Sequence, residues 1–144
     1  MKIITKNKKA FFDYNISEKY KAGIVLSGAE VKSVKGGQIN LKGSWAKIIA
    51  GELWLVGAHI APYRLASQEN YDPTRSRKLL VTRKERGEIS GQLSQKGLVL
   101  IPLEIFLDRN LVKVTLGLGR AKKLFDKRQA IKEKEVKRRI KTND

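Results

Sequence analysis

Past Gly119 the chain runs out of material for a hydrophobic core. Residues 120–144 hold eleven basic side chains against four acidic ones, a net of +7. Their only aliphatic residues are Ala121, Leu124, Ala130, Ile131, Val136 and Ile140, which do not line up as a stripe wide enough to dock on a core. Glu133 stands four residues before Lys137, and Glu135 four before Arg139, pairs that each favour a helix by ~0.2–0.5 kcal/mol. A lone helix of this length is still marginal in water. The tail is therefore expected to be disordered when free and to fold against an anionic partner. Any globular fold has to come from residues 1–119, enough for one domain without disulfides or metal.

Those residues are punctuated at short intervals. Ala22-Gly23-Ile24-Val25-Leu26-Ser27-Gly28 is a β-branched run bounded by glycines and reads as a buried strand. In 29–35, Val31 and Val34 share a helical face, and Gly36-Gly37 closes the segment, so a short helix is predicted. Alternation from Trp45 to Ile60, broken at Ala50-Gly51, predicts a hairpin. Tyr63 to Asp72 is polar and irregular, and Asp72-Pro73-Thr74-Arg75 signals a surface turn. Leu79-Leu80-Val81 leads into Thr82 and Glu85 at capping-box spacing, predicting a second helix that ends before Gly97. Leu98 to Leu103 and Leu111 to Leu116 are two further strands about an Asp108-Arg109-Asn110 turn. Gly117-Leu118-Gly119 fails the dinucleotide fingerprint and reads as flexible backbone at the barrel exit. Five or six short strands, two short helices and no βα alternation predict a mainly β fold with short α-helices. The expected architecture is an OB-type closed β-barrel with flanking helices, followed by the basic tail.

The charge identifies the class of partner. Lys plus Arg number 31 against 14 Asp plus Glu, a net of +17 whose self-repulsion opposes compaction unless a polyanion is near. No cysteine is present, which removes thiol catalysis, disulfides and cysteine zinc sites together. The acidic residues are scattered, so no metal or other cofactor is expected. His59, the single histidine, has no Ser-His-Asp or Cys-His partner in view and is expected to be structural or RNA-facing. Met1 to Lys9 has no apolar stretch of signal-peptide length, and no run approaches the ~20 apolar residues of a membrane span. A cytoplasmic, non-enzymatic RNA binder is the expectation.

Four basic clusters support it: Lys6-Asn7-Lys8-Lys9, Arg75-Ser76-Arg77-Lys78, Arg83-Lys84-Glu85-Arg86 and the tail. Arginine both pairs with phosphate and stacks on bases. Phe11, Phe12, Tyr14, Tyr63, Tyr71 and Phe125 are candidate stacking surfaces, about half of them expected in the core. Trp45 and Trp54 flank the hairpin turn and are expected to pack the barrel.

Six blocks, in order along nearly the whole chain, resemble the small protein B family, the SsrA-binding proteins that partner transfer-messenger RNA. They are Asn7-Lys8-Lys9-Ala10 with Asp13-Tyr14; Ala22-Gly23-Ile24-Val25-Leu26-x-Gly28-x-Glu30-Val31-Lys32-Ser33; Asn40-Leu41; His59-Ile60-x-Pro62-Tyr63; Asp72-Pro73-Thr74-Arg75-x-Arg77-Lys78-Leu79-Leu80; and Lys122-Lys123-Leu124-Phe125-Asp126-Lys127-Arg128. The resemblance implies that the barrel, residues 1–119, holds the tRNA-like end of transfer-messenger RNA. It implies delivery to stalled ribosomes in a complex with elongation factor Tu. The tail, residues 120–144, would occupy the empty mRNA path and the decoding centre and become helical there.

Carried over by position, the implied RNA-facing residues are Asn7, Lys8, Lys9, Glu30, Lys32, Leu80 and Lys113. Glu30 would accept hydrogen bonds from RNA or cap local backbone. The implied ribosome-facing set is Lys122, Lys123, Phe125, Asp126, Lys127 and Arg128. Three positions depart from the family pattern: Ala121 stands where glycine is common, Phe125 where His or Tyr is frequent, and Lys21 where some members carry an acid. On composition alone, an OB-barrel ribosomal or ribosome-assembly protein is the alternative. Membrane-surface binding needs a broad apolar face that the tail lacks.

Overall fold

In the computed structural model, residues 1–66, 70–123, 128–129 and 131–135 are described. The chain opens with β1 (Lys2–Lys6) and the short α1 (Lys8–Asp13), whose N-cap is Asn7: its side-chain oxygen accepts from the Ala10 N–H at 3.3 Å. The long β2 (Tyr14–Ile24) leads to α2 (Gly28–Lys35). Here Ser27 and Glu30 form a reciprocal capping box, each side chain taking the other's backbone N–H. β3 (Ile39–Asn40), β4 (Trp45–Ile49), β5 (Glu52–Val56), β6 (His59–Ile60) and β7 (Arg77–Leu80) follow. Ala50 and Gly51 both take positive φ, 50° and 79°, which a two-residue hairpin needs to match strand twist. Thr82 and Glu85 repeat the capping box at the start of α3 (Arg83–Leu93). β8 (Leu98–Asp108) and β9 (Leu111–Ala121) then turn about Arg109 and Asn110, both with positive φ.

Six of these strands close on themselves in the order β8-β4-β5-β7-β2-β9, with β9 returning to β8 and every pairing antiparallel. That ring is the closed barrel the strand count predicts. β8 serves three neighbours because its eleven residues are shared out: Leu100 pairs with β4, while Glu104 to Leu107 pair with β1. A bulge between Pro102 and Glu104 marks the change, and proline, with no N–H to give a ladder, suits a bulge. Leu53, Leu55, Leu79, Leu100, Ile105, Val114, Leu116 and Leu118 fill the barrel; Val34 of α2 and Ile89 of α3 plug into the same cluster. A second, smaller cluster of Ala10, Ile101 and Leu103 lies where α1 packs on β8.

The structure corrects several expectations. β1, α1 and β3 were not anticipated, and the predicted second hairpin strand is divided into β5 and a separate β6; β1 and α1 sit in the lysine-rich opening, where charge hides the apolar positions Ile4 and Ala10. Strands β2, β8 and β9 each run eleven residues, longer than their apolar runs, because pairing on two sides carries polar residues along. Gly117 and Gly119 are buried β9 positions and not flexible exit backbone. A Cβ at Gly119 would strike the Asn15 carbonyl oxygen, and one at Gly117 would come within 2.6 Å of Leu103 Cδ1. These glycines let β2 bulge at Ile16–Glu18 against β9. Arg120 and Ala121 are likewise strand residues, paired with Asn15 and Tyr14, so the barrel ends two residues later than Gly119. Trp45 does not pack the barrel: Ala46 takes the inward position and Trp45 remains 43% exposed.

Candidate RNA interface

Glu30 occupies the third position of α2, where the capping box already claims one of its oxygens. Two arginines from the loop and strand beneath complete its surroundings. Arg77 donates from Nε to Glu30 Oε2 at 2.8 Å, and its Nη2 lies 2.7 Å from the same oxygen. The rest of that guanidinium is spent on the carbonyls of Ala58 and Pro73, both at 2.9 Å, and on the Tyr71 hydroxyl at 3.2 Å. Tyr71 Oη donates to the Ile60 carbonyl at 2.9 Å and lies 3.2 Å from Glu30 Oε2. Arg75 approaches from outside, Nε to Oε2 at 3.2 Å and Nη2 to Oε1. Glu30 and Arg77 are inaccessible to solvent, at 1% and 0%, whereas the Arg75 side chain is 38% exposed.

The electrostatics follow from that geometry. Burial alone would discourage ionisation of Glu30. The hydrogen bonds from Arg75, the Ser27 N–H and Arg77, with the charge of Arg77, overcome it and hold the carboxyl down at about 2. Burial and the Glu30 charge push the Tyr71 phenol up. Tyr20 is pushed up to about 12 by its burial first, and then by its bond to the Glu18 carboxylate, 2.8 Å away.

Among the described residues, two surfaces offer cations, with Asp108 the one acid paired to them. Across β9, β2 and β7, Lys113 pairs with Gly23 and Gly23 with Leu80, so the three stand in one row on the sheet. With glycine in the middle, the half-exposed Leu80 side chain leans over the row, where a Cβ on Gly23 would meet Leu80 Cβ at 3.4 Å. Lys113 also makes a long contact, 3.8 Å, with Asp108. α2 packs on β9, and its Lys32 holds its ammonium 5.5 Å from the centre of the Tyr63 ring. The second surface is a groove of about 330 Å³ between the start of α1 and β3, lined by Lys6, Lys8, Lys9 and Lys42 with Asn40. Lys8 and Lys9 are exposed there.

The residues singled out from the sequence thus divide. Lys32, Leu80 and Lys113 reach the surface around α2 and β9, and Lys8 and Lys9 line the separate groove. Asn7 lines the groove but is buried, and Glu30 of α2 is buried as well, so neither offers a free side chain to a partner. The Asn7 amide donates to the Pro102 carbonyl at 2.9 Å and the Leu41 carbonyl at 3.4 Å, securing α1 to the β8 bulge. Lys42 joins the groove although it stands outside every basic cluster of the sequence, so no local signal marks it. Phe11 and Phe12 are both exposed, with Lys19 over the Phe11 ring at 5.7 Å, while Tyr14, Tyr63 and Tyr71 are half-buried. His59 is exposed on β6.

The tail leaves the barrel beside α1, where the Lys122 N–H donates to the Asp13 carbonyl at 2.8 Å. Lys123 and Arg128 are exposed, and residues 128–129 and 131–135 are helical. The assignments made to Phe125, Asp126 and Lys127 lie outside the described residues. Among the described residues there is no grouping of His, Asp and Glu able to hold a metal, and no helix long and apolar enough to cross a membrane.

Comparison with known proteins agrees with the blocks read from the sequence. The family model described as SmpB protein matches residues 4–143. An SsrA-binding protein of Desulfitobacterium hafniense is 48% identical over 140 residues, covering 97% of this chain and 90% of its own. Another, from Bacillus subtilis, is 48% identical over 139 residues, covering 96% and 89%. A solved structure described as "tmRNA-SmpB: a journey to the center of the bacterial ribosome" contains a chain that superposes with a TM-score of 0.71. That chain is 44% identical, and the match spans 88% of this chain and 93% of its own.

Proposed function

The chain belongs to the SmpB protein family, and from that premise we propose that it binds the tRNA-like domain of transfer-messenger RNA and brings it to stalled ribosomes. The observation that carries this reading is likeness along nearly the full length, at close to half identity, to proteins described as SsrA-binding. The physical chemistry of the two cationic surfaces supports it. Phosphates attract the lysines of the groove and the row at Lys113, and each neutralised phosphate releases counterions from the RNA. Leu80 gives the row an apolar patch on which a sugar or base can rest, and Tyr63 under Lys32 offers a stacking surface.

The protein makes and breaks no bond in this account; its work is recognition and delivery. Elongation factor Tu carries the charged RNA with it, and the complex acts in the cytoplasm. The tail occupies the empty mRNA path and the decoding centre. Lys122, Lys123, Lys127 and Arg128 pair there with rRNA phosphates, and Phe125 stacks on a base. The helical turn at 131–135 extends in the aqueous path as the Glu–Lys and Glu–Arg spacings of the tail favour.

Removing residues 122–144 separates the two roles. The truncated protein should bind transfer-messenger RNA within a few-fold of the full chain and fail to support rescue of stalled ribosomes in a reconstituted translation system. Loss of RNA affinity on truncation would move recognition from the barrel to the tail and contradict the division of labour.

A further inference from the structure

Arg75 and Arg77 stand two apart in one basic run, and the fold sets both on one carboxylate, Arg75 spanning its two oxygens and Arg77 taking Oε2 alone. Arg77 is spent: all of its partners are internal, and none of its surface is exposed. Arg75 is held and still open. Its Nε and Nη2 are fixed on Glu30, and its Nη1 makes one long bond, 3.4 Å, to the Ser76 carbonyl. A guanidinium has five N–H donors. Three are engaged, and two remain for an acceptor outside the protein. The backbone beneath is braced as well, since the Asp72 carboxylate accepts from the Thr74 N–H and hydroxyl, and the Arg75 N–H reaches the Asp72 carbonyl.

We propose that Arg75 is a pre-oriented phosphate contact of the RNA interface, and that Glu30 acts on RNA through it as a positioning residue. Glu30 is covered and its oxygens are filled by protein donors, so RNA donors have no way to it. Its effect on RNA is the direction it gives to Arg75. A guanidinium locked along one edge loses little rotamer freedom on meeting a phosphate and keeps its fork geometry. Lys32, two residues on in α2, lies over Tyr63, so α2 holds two cations, its own Lys32 and, through Glu30, the loop residue Arg75. This inference rests on the reading that the chain binds transfer-messenger RNA.

The test uses the full chain and transfer-messenger RNA in a salt series, with variants Arg75→Met and Arg75→Lys. Arg77 remains on Glu30 in both, and a thermal melt checks that each folds cooperatively. Arg75→Met should weaken binding several-fold and make the slope of log K against log salt shallower by about 0.7–0.9, the share of one phosphate. Arg75→Lys should restore the slope but not the full affinity, because an ammonium lacks the fork. In a cycle with Glu30→Gln, the double variant Glu30→Gln/Arg75→Met should bind no more weakly than Arg75→Met alone. Wild-type affinity and slope in a folded Arg75→Met protein would overturn the proposal, as would losses that add in the cycle. A wild-type chain that fails to prefer transfer-messenger RNA over tRNA would sink the underlying reading. An unaffected Arg75→Met beside a selective wild type would sink only the role of Arg75.

Discussion

At the scale of single residues, the Glu30–Arg77 pair decides how α2 sits on the barrel. Replacing Arg77 by Met would leave the half-exposed Arg75 as the one arginine on Glu30 and strip donors from the Ala58 and Pro73 carbonyls. Removing one member of a buried pair costs about 3–5 kcal/mol, and urea melts of Arg77→Met should show a loss of that order; a loss below about 1 kcal/mol would contradict the account. The pair also sets a pH dependence. Glu30 has its carboxyl depressed to about 2 from an ordinary 4.5, so its stabilising contribution is complete above the ordinary value. It is lost as pH falls from there toward 2, a contribution on the order of 3 kcal/mol. Glu30→Gln should flatten the stability curve over that acid window, and an unchanged curve would show that the carboxylate is not held by the arginines. The sequence pointed to Glu30 as a residue that matters but left open whether it faces RNA or the backbone. Type and spacing do not encode burial depth: Arg75 and Arg77 are indistinguishable in the run Arg75-Ser76-Arg77.

Elements with strong local chemistry were legible. The Thr82–Glu85 capping box, the Ala50-Gly51 hairpin and the Asp108–Asn110 turn form where their residues demand, since each is settled within a few positions. The Ser27–Glu30 box went unread because Ser27 closes an apolar run taken as strand. What depends on distant partners was not. The full length of β2 and β9 comes from pairing with each other, and the strand role of Gly117 and Gly119 appears only when Leu103 and Asn15 are brought against them. Trp45 was misjudged because alternation fixes two faces without saying which is inside; the small Ala46 faces the core. Two glycine substitutions separate these cases. Gly119→Ala places a methyl against backbone and should cost at least the ~1–3 kcal/mol of overpacking. Gly91→Ala, in α3 with open space around it, should stabilise by ~0.5–1 kcal/mol through helix propensity. Chemical denaturation of the two side by side checks both signs.

For the whole molecule, a closed barrel and a charge of +17 express a division of work. Closure leaves β1, with its lysines, as the outer edge strand on β8 and frees the outer faces of α2, β9 and the α1 groove for cations. The tail's lack of an apolar stripe, visible in the sequence, carries the charge onward from the barrel beside Asp13. The family was legible from six ordered blocks, whereas the groove formed by Lys6, Lys8, Lys9 and Lys42 needed the fold to bring Lys42 to the N-terminal helix. The central claim is that the barrel recognises one RNA rather than attracting any polyanion. The most direct measurement is an anisotropy titration of labelled transfer-messenger RNA with the full chain, in excess bulk tRNA and across a salt series. The account predicts tight binding that survives the competitor, with log K falling linearly against log salt at about −0.7 to −0.9 per phosphate contacted. Binding that tRNA displaces in proportion to its concentration would show a nonspecific polycation and contradict it.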